Sequence, residues 1–384
     1  MRRRPLIPSM LVAAALAAAL FPAAGCKKEA GSSANAAEIV IGEYASKTGD
    51  TSDFGISSSN GLHLAIEEIN QRGGVLGKPI KLITADDESK ADKVPTAVQR
   101  QINVDGAVAI IGEVASTRSL TGAGICQQAK IPMLSPASTN PGVTKVGDYI
   151  FRICFTDDFQ GPVLARFARE KGWQRVAVLP DASADYSKGL SAAFKEAYAG
   201  GGEVVAEESY TTKDKDFKAQ LQKIKSAGVD AVFLPGYYNH VGLILNQARE
   251  MQLDVPFFGG DGWDSPETLK LGPIADGCYY TDHFHHEEPR PEAQAFLKAY
   301  QAKYGRVPDA MAALGYDAGG VIVDAIKRAG KAEPAAIRDA LAATKDFPGA
   351  TGKITIDAER NARKPIVILR LGDGKTHLER SIEP

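Results

Sequence analysis

A few residues in this sequence could do chemistry, and they are read first. His283, Phe284, His285 and His286 run into Glu287 and Glu288. On a strand, His283 and His285 would share a face, and two imidazoles with a nearby acid are a zinc donor set. A solvated, polar strand exit explains the same letters and is the preferred reading. Asp261 stands alone in Gly259-Gly260-Asp261-Gly262. It is either a turn aspartate or, if buried without a cationic side chain, a carboxylate that needs a positive charge from a ligand. Ser116 can open a helix over 116–129, where unpaired N–H groups and the helix dipole favour an anion, although a plain N-cap is the simpler role. Ser135-Pro136-Ala137-Ser138-Thr139-Asn140-Pro141 adds hydroxyls nearby, or is only a turn.

Catalytic signatures are missing. The chain has no GxSxG elbow and no HExxH helix, and Gly77-Lys78 is followed by Pro79 where a Walker loop needs Ser or Thr. Gly122-Ala123-Gly124 does not open a helix after a strand with the further glycine a dinucleotide loop requires. The expectation is binding rather than catalysis, with no cofactor and no metal.

The elements that must position these residues alternate between strand and helix. Short β-branched runs are predicted as strands at Ile39–Gly42, Ile80–Thr84, Ala107–Ile111, Val176–Leu179, Glu203–Glu207, Ala231–Leu234 and Phe257–Phe258. Leu62, Ala65, Ile66 and Ile69 mark one face of a helix, as do Phe217, Leu221 and Ile224, with Asp216 as a plausible N-cap. Further helices are predicted at Val163–Lys171, Gly189–Ala199, Val241–Met251, Pro291–Tyr304 and Ala318–Arg328. This alternation predicts parallel sheets covered by helices on both faces. The units outnumber one comfortable sheet, so an α/β protein of two doubly wound lobes is expected. A chain of 384 residues also exceeds the roughly 250–300 that one core supports.

Arg2, Arg3 and Arg4 precede an apolar stretch from Leu6 to Leu20, and Ala23-Ala24-Gly25-Cys26 follows. Such a short apolar run before small residues predicts a signal peptide over residues 1–25. Its end resembles the lipobox of bacterial lipoproteins, which implies a lipid on Cys26, although Ala23 stands where leucine is usual. Ordinary cleavage would instead leave Cys26 as a spare thiol. Residues 26–37 suit a flexible tether. Export permits disulfides, but Cys126, Cys154 and Cys278 allow at most one bridge among themselves; buried free thiols are the alternative.

Three segments then carry a resemblance over about 38–371. They are Ile69-Asn70-Gln71-Arg72-Gly73-Gly74-Val75-Leu76-Gly77-Lys78-Pro79-Ile80, Gly112-Glu113-Val114-Ala115-Ser116-Thr117-Arg118-Ser119 and Ser135–Pro141. Phe159-Gln160-Gly161-Pro162, Gly236-Tyr237-Tyr238 and Gly259–Gly262 follow in the same order. The chain resembles type I periplasmic substrate-binding proteins of ABC importers, in the leucine/isoleucine/valine-binding branch. The resemblance implies two lobes, 38–155 with 284–354 and 156–283 with 355–384, joined by three crossing strands that act as a hinge. It implies that Ala115, Ser116, Ala137 and Thr139 hold an amino acid's carboxylate and ammonium from one lobe, and that Asp261 meets the ammonium from the other. Asp261 departs from the glutamate common in that branch by one methylene. Phe54, Tyr186 and Tyr237 would wall the ligand side chain, with Tyr316 a weaker fourth. Glu113 and Arg118, flanking the carboxylate loop, are expected to pair at the surface.

The implied function is an extracytoplasmic receptor that binds a small aliphatic or branched-chain amino acid and delivers it to an ABC permease. Receptors for a small amide, urea-like or other carboxylate ligand, a ligand-sensing partner in signalling, and an exported metalloenzyme are the rivals. With Lys+Arg 45 against Asp+Glu 47, charge supplies no reason to expect nucleic acid or an anionic membrane surface as partner.

Overall fold

The computed structural model describes residues 38–384; the expected signal peptide, the expected tether and Cys26 lie outside the described residues. The chain opens with β1 (Ile39–Ala45), α1 (Ser52–Gln71), β2 (Ile80–Asp86), α2 (Val94–Asn103), β3 (Ala109–Ile111), α3 (Ser116–Ala129), β4 (Met133–Ser135), α4 (Gly142–Lys145) and β5 (Ile150–Arg152). These strands form one all-parallel sheet in the order β2-β1-β3-β4-β5. Strands β3, β4 and β5 are short and wholly buried, as expected of a parallel sheet covered on both faces.

The second lobe follows with α5 (Asp157–Glu170), β6 (Arg175–Val178), α6 (Asp185–Tyr198), β7 (Glu203–Glu207), α7 (Lys218–Ala227), β8 (Ala231–Phe233), α8 (Tyr238–Glu250), β9 (Phe257–Gly259), α9 (Pro266–Leu269) and β10 (Tyr279–Asp282). Asp216 sits one place beyond the cap residue of α7, Phe217, yet its carboxylate still accepts the Lys218 N–H. Then α10 (Pro291–Tyr304), α11 (Ala310–Ala329) and α12 (Pro334–Ala342) return to the first lobe, where α11 lies along α1. The close approach is made by Gly61 and Gly315: a Cβ on either would collide with the backbone of the other helix, at Ala312 O and Ser58 O. Leu314, Val321 and Ile322 of α11 are fully buried in that core, each side chain worth about 1.5–3 kcal/mol of burial.

The chain ends with β11 (Phe347–Gly349), β12 (Gly352–Ile356) and β13 (Ala362–Arg363), a small antiparallel sheet, and with β14 (Ile366–Gly372) and β15 (Lys375–Ile382). The last two join the second sheet, β15-β14-β10-β9-β8-β6-β7. The two-lobed α/β fold is as expected, and this sheet carries in addition an antiparallel edge, because β14 re-enters it against β10. Asp373 and Gly374, both at positive φ, close the β14–β15 hairpin. An Asp-Gly loop of two residues with this geometry matches the right-handed twist of the flanking strands. The chain passes between the lobes three times, after Arg152, after Asp282 and before Ile366. Cys126, Cys154 and Cys278 are buried and free, so no bridge forms among them.

Candidate functional site

Loops at the carboxyl ends of both sheets face each other, where open α/β sheets bind ligands. From the first lobe come the start of α1, the β3–α3 turn and the loop after β4. The second supplies the start of α6, the β8–α8 turn and the loop after β9. The lobes touch directly around them. Asp185 N–H donates to Thr117 Oγ1 at 3.0 Å, and Asn140 Nδ2 donates to the Asp185 carbonyl at 2.7 Å. Ser265 Oγ donates to Asp53 Oδ2 at 2.8 Å, and Asp53 N–H donates to Tyr238 Oη at 3.1 Å.

Ser116 is the first residue of α3, capped by Ala115, and both are buried. The Ser116 hydroxyl accepts the Asn140 N–H at 3.3 Å and keeps its own proton to donate. The Ser116 and Thr117 N–H groups that open α3 have no intrahelical acceptor and carry the positive end of the helix dipole, whereas the Arg118 N–H already donates to the Ala115 carbonyl at 3.1 Å. Ala115 differs: its N–H donates to Glu113 Oε2 at 2.5 Å and is already committed. Ala137 and Thr139 are buried beside them, and Thr139 Oγ1 has no hydrogen-bond partner. An unmet buried hydroxyl costs about 1–3 kcal/mol unless something else bonds it.

Facing this hydroxyl-rich side is an acidic one. Asp261 is buried, and Gln160 holds it at two points: Nε2 donates to Oδ1 at 3.0 Å, and Oε1 accepts the Asp261 N–H at 2.9 Å. Thr281 Oγ1, 2.6 Å from Gln160 Oε1, fixes the amide orientation. Asp157, fully buried, donates its N–H to the Thr139 carbonyl at 2.9 Å and leaves Oδ2 without a partner. Burial, with the nearby Asp261 charge, raises its carboxyl well above the usual carboxylate range. Among the described residues no lysine or arginine forms an ion pair with Asp157 or Asp261. Sequence reasoning missed Asp157 and Gln160; the Asp-Asp-Phe-Gln start of α5 was visible, but which of its faces meets Asp261 was not.

The aromatic residues converge as expected. Tyr186 and Tyr237 stack with centroids 5.1 Å apart and planes at 9°, and Phe54 meets Tyr237 edge-on at 5.6 Å. Tyr238, also missed, packs edge-on against Phe54 at 4.9 Å. Tyr186 Oη accepts the Gly262 N–H at 3.0 Å, tying the wall to the Asp261 loop. That loop must be glycine at 260, since a Cβ there would overlap Tyr186 Oη and Gln160 Oε1. Tyr316 lies elsewhere, its hydroxyl donating to Glu68 and its ring against Phe296.

Two other expectations are corrected. Glu113 and Arg118 do pair, at 3.0 Å, but both are buried rather than at the surface. Glu113 also accepts from Ser46, and Arg118 donates to Thr51 Oγ1 at 2.8 Å, so the pair stiffens the turns around β1 and β3. Nor are the histidines a solvated strand exit: His283 and His285 are buried, because β10 ends between the lobes. No group of three or more metal-ligating side chains occurs among the described residues.

A small cavity of about 140 Å³ opens beside the aromatic wall, lined by Ala115, Arg118, Asp181, Tyr237, Asn239 and His240 among others. A larger recess of about 530 Å³ lies between Asp264–Pro266, at the far end of the loop after β9, and Val307–Ala310.

Residues 38–375 match the family described as periplasmic binding protein. The chain belongs to that family. It is 33% identical over 324 residues to the Leu/Ile/Val-binding protein BraC3 of Rhizobium johnstonii, covering 83% of this chain and 87% of that protein. Among solved structures of the family, the leucine-binding protein LivK of Thermotoga maritima superposes with a TM-score of 0.86 at 37% identity, over 90% of this chain and 99% of that one. The branched-chain amino acid transporter substrate-binding protein LivJ of Streptococcus pneumoniae, in complex with isoleucine, gives 0.85 at 34%, over 90% and 100%. Membership of this binding-protein family agrees with the missing catalytic motifs.

Proposed function

We propose that this protein is an exported receptor that binds a branched-chain amino acid between its lobes and delivers it to an ABC permease. One observation carries the reading: unmet hydroxyl and amide donors face buried carboxylates that have no lysine or arginine partner. A zwitterion satisfies both sides at once. Its carboxylate would take Ser116, Thr139 and the α3 N-terminus, and its ammonium Asp261 and Asp157, with Ala115 and Ala137 lining the grip. Phe54, Tyr186 and Tyr237 offer its side chain an apolar wall, as small-ligand pockets require. The ligands named for BraC3, LivK and LivJ support the same class.

Lobes of 38–155 with 284–354, and 156–283 with 355–384, would close about the three crossings, the ligand stabilising the closed form by contacts the open form lacks. A lipid on Cys26 would hold the receptor near its permease. A ligand with a polar far end, such as a small amide, is the second reading; the unpartnered Asn239 Oδ1 beside the wall favours it.

Calorimetric titration with leucine, isoleucine, valine and a set of small amides tests the proposal. Micromolar or tighter binding of a branched-chain amino acid is expected, weakened more than a hundredfold by Asp261→Ala, since breaking a buried charge pair costs about 3–5 kcal/mol. Unchanged affinity in that variant, or binding of the amides alone, refutes it.

A further inference from the structure

Asp261 is held by a second side chain besides Gln160, and it comes from the hinge. Nε2 of His283 lies 3.3 Å from Asp261 Oδ2, with the His283 side chain fully buried. His283 follows β10 directly, in the second crossing between the lobes. Its ring stacks on Phe155 of the first crossing, with centroids 3.7 Å apart and planes at 23°.

From this geometry we infer that His283 is a positioning residue for the ligand: a neutral imidazole that aims the Asp261 carboxylate at the ammonium group. The inference rests on the amino-acid reading above. A carboxylate only accepts hydrogen bonds, so Nε2 must carry the imidazole proton and donate it. Nδ1 is then an acceptor, and it is buried without a partner. Burying an unmet nitrogen is costly, which is the price of pointing Nε2 at Asp261. With Gln160 on Oδ1 and His283 on Oδ2, each oxygen has one fixed donor and keeps lone pairs for a cation. Neutrality matters as much as direction. An arginine or lysine here would itself neutralise Asp261 and compete with the ligand. Burial pushes the His283 imidazole down to about 4, so it adds no charge at neutral pH. The titratable groups acting on it are Asp261, Asp282 beside it in the chain and Lys364 from the third crossing.

The test compares His283→Leu, which keeps bulk but loses the donor, with His283→Gln, which can restore one. Leucine affinity is measured at pH 7, with a melting curve for each variant. For His283→Leu, affinity at pH 7 is expected to fall roughly tenfold or more, the worth of a hydrogen bond to a charged group. His283→Gln should recover most of that loss. Wild-type-like binding by His283→Leu, or equal losses in the two variants, overturns the inference. Asp261→Asn separates the levels. If it weakens binding while His283→Leu does not, only this inference falls; if neither the wild type nor any variant binds a branched-chain amino acid, the functional proposal falls with it.

Discussion

Replacing Thr139 by valine separates the ligand's requirement from the fold's. The substitution keeps the branched shape and removes a buried hydroxyl that makes no well-formed hydrogen bond and lies beside the buried Asp157 carboxyl. A hydrogen bond from that hydroxyl to a ligand carboxylate is worth about 1.5–3 kcal/mol, which predicts affinity weakened roughly 10- to 150-fold. The fold loses only the poorly formed contact with the Asp157 carboxyl, so ligand-free stability should change by less than about 1 kcal/mol. Combining both effects makes the expectation sharp. At a leucine concentration of about 100 times the wild-type Kd, ligand stabilises the wild type by about 2.7 kcal/mol. A variant with about 30-fold weaker affinity gains only about 0.9 kcal/mol at the same concentration. Calorimetry reports the affinity, and denaturant unfolding with and without leucine reports both stabilities. A variant that binds like the wild type refutes the placement of the carboxylate. One that is less stable by 1 kcal/mol or more without ligand shows instead that Thr139 serves the fold.

Other expectations concern acids and thiols. Asp264 accepts the Ala310 N–H at 2.7 Å across the lobes, and burial together with the Asp309 carboxylate raises its carboxyl to about 8. Between about pH 4 and pH 8 the folded form therefore holds a proton that the unfolded chain releases, so this group's contribution falls as pH rises through that window. Asp264→Asn, which mimics the protonated acid, should be more stable than the wild type at pH 7.5 and flatten the dependence; urea unfolding across that range measures it, and an unaltered slope refutes it. Burial raises the thiols of Cys126, Cys154 and Cys278, that of Cys154 to about 12. In a Cys26→Ser protein, a thiol reagent at pH 8 should therefore find none before unfolding and three after it; rapid reaction of the native protein would contradict their burial.

Much of this protein was legible in the chain because the deciding interactions are local or periodic. Amphipathic spacing such as Leu62, Ala65, Ile66 and Ile69 and short apolar strand runs dictate alternating elements. Loops at strand ends, with Ser116, Thr139, Asp261 and three aromatic residues on or beside them, then become the natural place for a ligand. The Asp373-Gly374 hairpin could also have been read from its turn residues. What the tertiary structure alone decided is which polar groups lose water and what each finds instead. Gln160 and Asp261 lie 101 residues apart, and no pattern in the letters pairs them. Glu113 and Arg118 are five residues apart, close enough to pair anywhere, and only the packing of the turns around β1 and β3 buries the pair. His283 reads as polar and therefore exposed, yet β10 ends between the lobes and Phe155 covers its ring. Thr139 looks like one loop hydroxyl among several until the fold buries it beside the Asp157 carboxyl with no well-formed bond. Composition and periodicity set where the chain turns; desolvation, which depends on every neighbour at once, assigns the roles.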